Sequence, residues 1–216
     1  MGAVVTAPKP RLRGRIHQVA FWVSIPAGMA LILLATGPVQ KAVAAVYAAS
    51  LTAVFGSSAA YHRGRWSERA HRWMRRLDHS MIFVLIAASY TPVSVLVLDG
   101  PWEAVLLSVV WAGAAVGVIL KMVRPDGLSV ASAILYMGLG WLALVALPQL
   151  LAGMTTAEAI LMVSGGLLYT AGAIVFASKR PDPRPATFGY HEIWHGFMVA
   201  AATCHYAMIL LVLRSA

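Results

Sequence analysis

Acidic residues are scarce in this 216-residue sequence, eight against seventeen Lys and Arg, and cysteine is nearly absent. The single cysteine, Cys204, excludes an internal disulfide and any multi-cysteine zinc module. Charged residues of both signs make up 12% of the chain, about half the ~25% of an ordinary soluble domain. There is no internal repeat and no low-complexity linker, and the short polar loops leave no room for a soluble domain. What the chain has instead is apolar residues, 60% of the total, with a mean hydropathy of +0.75. That balance excludes a disordered chain and argues against a soluble enzyme. The net charge of +9 points to nucleic acid in a soluble protein. Here the bases sit between apolar runs, so anionic lipid head groups and membrane topology account for them, with no nucleic-acid partner.

Seven apolar runs fall at residues 18–36, 42–61, 80–98, 104–120, 128–148, 159–177 and 192–213. Each has about the length a helix needs to cross ~30 Å of hydrocarbon. Their interiors carry no Asp, Glu, Lys or Arg, and they are rich in Gly, Ala, Ser and Thr, which lets helices approach closely in lipid. Without water, backbone polar groups must pair inside the segment, so helix is favoured over open sheet. The expected fold is all-α: one seven-helix integral membrane domain over residues 1–216, with 1–16 as a basic tail. Pro26, Pro92 and Pro148 are expected to kink or end runs one, three and five, and Trp22, Trp102 and Trp111 to mark interfaces. Lys9, Arg11, Arg13 and Arg15 resemble the n-region of a secretory signal. The apolar stretch behind them is too long for a typical h-region, and the first run is read as a retained helix.

Alternating the runs across a membrane sorts the bases. One side holds Lys9 to Arg15, the stretch from Arg63 to Arg76, Lys121 and Arg124, and Lys179 to Arg184; the other holds only Lys41 and Arg214. A bias of fifteen to two makes the amino terminus cytoplasmic and the carboxyl terminus external, in a multi-pass protein of the plasma or inner membrane. The stretch from Arg63 to Arg76, with Trp66 and Trp73, is expected to be a cytoplasmic loop held to anionic lipid.

The same alternation gathers ionisable groups, which are costly at membrane depth and usually functional. His62 ends the second run, Asp78 and His79 open the third, and His191, Glu192 and His195 open the seventh, all at one level. His191 and His195 are four apart and share one helical face, the spacing of a two-histidine metal pair. His62 is the natural third ligand, since three protein nitrogens plus a water make the usual catalytic zinc arrangement. Ser58, one turn before His62, shares its face. His205 lies about 15 Å further along its helix and is expected to serve packing or hydrogen bonding. His17 is read as an interface residue and His71 as a loop residue.

His191-Glu192-Ile193-Trp194-His195 also satisfies H-E-x-x-H, in which the glutamate is a protease base. Leu98-Asp99-Gly100 resembles the carboxylate element of intramembrane site-2-type proteases. Topology separates them. Asp99 closes the third run at the external side, about 25–30 Å of bilayer from His191 and His195, and zinc bonds reach only ~2.2 Å.

Three motifs in order, Ser57-Ser58-Ala59-Ala60-Tyr61-His62, Arg76-Leu77-Asp78-His79-Ser80 and His191 to His195, resemble those of the hemolysin III family. That family is the bacterial branch of the progestin and adipoQ receptors and is related more widely to alkaline ceramidases. The resemblance covers nearly the whole chain and includes the sixteen-residue step from His62 to Asp78. It implies a zinc ion held by His62, His191 and His195, with Asp78 and Ser58 beside the water at the metal. The implied reaction is hydrolysis of a membrane lipid amide or ester. Asp78 would orient the water and accept its proton, and Ser58 would donate to the developing oxyanion. The alternative is a non-enzymatic membrane sensor or homeostasis factor, with zinc clamping the second and seventh runs. Cytolysis through a wide pore finds little support, since few charged groups could line a channel. Haem ligation is also conceivable, although an i,i+4 histidine pair on one helix suits zinc better.

Overall fold

The structure, a computed structural model, describes residues 10–124 and 129–215. The expected basic tail thus lies outside the described residues over 1–9. Among the described residues eight α-helices follow one another: α1 (Arg15–Leu34), α2 (Pro38–Arg63), α3 (Glu68–Val97), α4 (Pro101–Val123), α5 (Ser129–Gly140), α6 (Leu147–Gly153), α7 (Thr156–Ser178) and α8 (Tyr190–Ser215). There is no strand among the described residues. Seven spans long and apolar enough to cross a membrane result, the fifth running from Ala131 to Gly153 through α5 and α6. The all-helical, seven-span expectation therefore holds, and the chain is a multi-pass membrane protein.

Local chemistry sets the ends of these rods. Pro38 and Pro101 occupy the first turns of α2 and α4, where a missing N–H costs nothing. Thr155 and Glu158 form a reciprocal capping box that opens α7. Pro26 and Pro92 sit inside α1 and α3, while Pro148 lies in the first turn of α6, after a 3-10 turn over Leu142–Ala146. The fifth apolar run is therefore broken rather than continuous. The Tyr90 hydroxyl bridges the break. It donates to the Gly140 carbonyl at 2.9 Å and accepts from the Ala143 amide at 2.9 Å, so irregular backbone in a span remains satisfied. Tyr90→Phe should cost about 1–3 kcal/mol through those unpaired groups. A lower melting temperature and faster exchange of the Ala143 amide would show it.

Two expectations are corrected. The stretch from Arg63 to Arg76 is not mainly loop: only residues 64–67 separate α2 from α3. Ser67 caps α3 by accepting from the Ala70 amide, so His71 and the arginines from Arg69 to Arg76 ride on its first turns. At 30 residues that helix is about 45 Å long, longer than the hydrocarbon it crosses. Trp111 lies midway along α4, where its indole N–H donates to Thr91 at 3.1 Å, rather than marking an interface.

Spans α2, α3 and α8 are the most buried. Helix α1 packs along α2, α3 along α2 and α4, and α7 along α8. At Gly28 of α1 an added Cβ would stand 2.8 Å from the Ala48 Cβ of α2, so glycine permits the close approach of these two helices. Tyr47 and Tyr206 donate hydroxyls to the carbonyls of Ala202 and Ala27, tying α2 to α8 and α8 to α1. Alternation brings the start of α1, the end of α2, the starts of α3 and α8 and the end of α7 to one end of the bundle.

Candidate metal centre

At that end His62, His191 and His195 converge. Each offers a ligand atom, and the three atoms lie within 4.8 Å of one another, so these side chains could hold a metal ion. Their ring centroids are 4.6–5.2 Å apart. The Nε2 atoms of His62 and His191 are 3.2 Å apart, and two nitrogens on one tetrahedral zinc stand about 3.3 Å apart. Both ring nitrogens of His195 are buried without a hydrogen-bond partner, an arrangement that a metal bond to one of them relieves. Donor set, spacing and orphaned nitrogens all fit a zinc ion.

The ends of α2 and α8 are shaped to present these rings. Helix α2 stops beyond His62, where the Trp66 indole N–H and the Gly64 amide both donate to the Ala60 carbonyl. At the start of α8 the Asp182 carboxylate accepts from the Tyr190 amide at 3.1 Å, and Glu192 Oε2 accepts from the Gly189 amide at 2.8 Å. His191 and His195 thereby begin α8 one turn apart, with Phe176 of α7 and Trp194 packed on the outer side of His191.

Asp78 is buried in α3. Its Oδ2 lies 4.0 Å from His62 Nε2 and 4.0 Å from His79 Nε2. Ser58, also buried, lies beside Asp78. All five residues expected at the centre therefore come together. His79 carries its backbone carbonyl to the Tyr136 hydroxyl at 2.9 Å, tying α3 to α5. His205 instead meets the Met162 carbonyl at 3.3 Å and the Tyr169 ring, a packing position well away from the centre. Asp99 follows the far end of α3, 21 residues beyond Asp78, which corresponds to about 31 Å of helix.

Helix α1 and the segment before it supply two residues that sequence reasoning did not place here. His17 is 2% exposed, which corrects its reading as an interface residue. Its Nδ1 is 2.8 Å from Ser58 Oγ, and its ring stacks on His195 at a centroid distance of 3.7 Å. Just before α1, Arg13 pairs with Glu192, which is wholly buried. With one oxygen on Arg13 and the other on the Gly189 amide, Glu192 ties the segment before α1 to the start of α8. The segment before α1 lies along the α7–α8 loop, where the Arg11 and Leu12 amides donate to the Ala186 and Thr187 carbonyls. Gly14 turns that segment into α1 with φ +78°, and an added Cβ would meet the His62 Cβ at 2.7 Å, so only glycine fits.

A polar basin of about 370 Å³ opens over the centre, lined among others by Arg13, Tyr61, His62, Asp78, His191 and Trp194. A larger apolar groove of about 790 Å³ runs between α1, α2 and α3, past Phe21, Ile25, Ala49 and Thr52 to Ala60 and Leu77.

The family described as Haemolysin-III related matches residues 5–206 of this sequence. The chain is 32% identical to Hemolysin-3 of Bacillus cereus over 90% of its own length and 87% of that protein's. To the Hemolysin-3 homolog of Bacillus subtilis (strain 168) it is 29% identical over 90% and 89% of the two lengths. The monocyte to macrophage differentiation factor of Homo sapiens is 28% identical, over 79% of this chain and 70% of the human one.

Proposed function

The chain belongs to the haemolysin-III-related family, and on that premise we propose that it is a zinc-dependent hydrolase of a membrane lipid amide or ester. The observation that carries this reading is the cluster of three imidazoles with ligand atoms within 4.8 Å of one another, beside the buried carboxyl of Asp78. His62, His191 and His195 hold the ion. When bound, zinc lowers the pKa of a water and polarises a carbonyl. Asp78 orients the attacking water and takes its proton. Ser58 donates a hydrogen bond to the oxygen on which charge develops. The basin admits the polar part of the lipid, and the groove ending at Ala60 and Leu77 gives an acyl chain an apolar path to the level of the centre. The charge bias puts this end of a single seven-helix unit on the cytoplasmic side, with the carboxyl terminus external.

The names of the two bacterial relatives speak of lysis. A wide aqueous pore finds little support in this chain, because the polar groups of the centre gather at one end of the bundle and pack against one another.

Purified, zinc-loaded protein in vesicles containing N-acyl or O-acyl lipids should release free fatty acid. Asp78→Asn should slow release by about 10²–10⁴-fold, the usual worth of a proton-transfer group, while keeping its zinc. A wild-type protein that carries zinc yet releases no fatty acid from either lipid class would overturn the hydrolase reading and leave zinc as a clamp between α2 and α8, as a sensor requires.

A further inference from the structure

A metal-bound imidazole is usually held in orientation by a hydrogen bond at its second nitrogen. His195 has none at either nitrogen, so packing must fix its ring. Of its neighbours, His62, His191 and Trp194 meet it at tilted or edge-on angles, and only His17 lies nearly parallel, at 3.7 Å and 13°. His17 also meets the Phe55 ring at 5.1 Å and is 2% exposed, so the His17 ring is itself confined.

We infer that His17 is the positioning residue of this centre, backing the His195 ring toward the metal and orienting the Ser58 hydroxyl; the inference rests on the zinc reading above. His17 does not itself join the ligands: its Nδ1 is engaged with Ser58, and the ligand atoms that converge are those of His62, His191 and His195.

The direction of the Ser58 contact follows the tautomer of His17. With the proton on Nε2, Ser58 donates to the ring; with the proton on Nδ1, His17 donates to Ser58 Oγ. In the second arrangement the serine hydroxyl keeps its hydrogen for Asp78 or for a substrate oxygen. One residue of α1 thus performs two separable tasks: its flat ring holds a ligand, and its Nδ1 fixes a hydroxyl.

The two tasks come apart in a pair of variants. His17→Phe keeps a flat ring against His195 and loses the nitrogen that meets Ser58, whereas His17→Ala loses both. Zinc affinity is read by competition with a chromophoric chelator on detergent-purified protein, with circular dichroism confirming the helical fold. His17→Ala should bind zinc about 10–100-fold more weakly, and His17→Phe should stay within about threefold of wild type, on the scale of outer-shell effects. Fatty-acid release should fall in both. If His17→Ala does not fold, His17→Leu, of similar bulk without a flat ring, takes its place with the same expected loss. Wild-type affinity in the Ala or Leu variant, or a loss in Phe equal to that in Ala, would overturn the inference while leaving the zinc reading intact. A wild-type protein that binds no zinc would overturn both.

Discussion

Replacing Arg13 with alanine is expected to cost about 3–5 kcal/mol of stability, the penalty of leaving one charge of a buried ion pair uncompensated. Glu192 is wholly buried, and its other oxygen is committed to the Gly189 amide, so losing the guanidinium leaves its carboxylate without its charged partner. For a chain of this size each kcal/mol moves the melting temperature by about 2–4 °C, so the drop should be large and easily measured in detergent. The Arg13→Met, Glu192→Gln double variant should recover most of it, because removing both charges removes the desolvation penalty. Glu192→Gln alone should keep zinc and hydrolysis. A protease using Glu192 as base would lose its chemistry in that variant, which makes the same substitution a test of the H-E-x-x-H string. An Arg13→Ala protein that melts with the wild type would show that the pair contributes nothing.

Much of the centre is legible in the sequence because a membrane removes freedom. Once the apolar runs are counted, alternation alone sends His62, Asp78, His191 and His195 to one level, and the i,i+4 spacing puts two of the histidines on one face. The resemblance to a known family implies the same ligands and sets Asp78 and Ser58 beside them, and the structure brings all five residues together. Alternation carries His17 to the same level as well. A lone imidazole on the first turn of a helix has no spacing partner, however, and its contact with Ser58 joins residues 41 positions apart. Arg13 and Glu192 are 179 positions apart, a pairing that no local pattern announces. The basic stretch after α2 reads as loop because charge dominates its composition. A single cap at Ser67 and the helix-forming arginines that follow are enough to make it helix. The break in the fifth span is half visible in Pro148, but its repair by Tyr90 depends on a side chain from α3.

The donor set makes the strongest demand of all. Removing two of three ligands should abolish metal binding outright, because the carboxyl of Asp78 and one remaining imidazole cannot replace a pair of nitrogens fixed one helical turn apart. His191→Ala with His195→Ala should therefore lose zinc and fatty-acid release together, with circular dichroism confirming that the helical fold is kept. The most direct measurement is elemental analysis of purified wild-type protein and this double variant after dialysis against a weak chelator. A three-nitrogen site should give about one zinc per wild-type chain and essentially none in the variant. Equal zinc in the two proteins, or none in either, would contradict it.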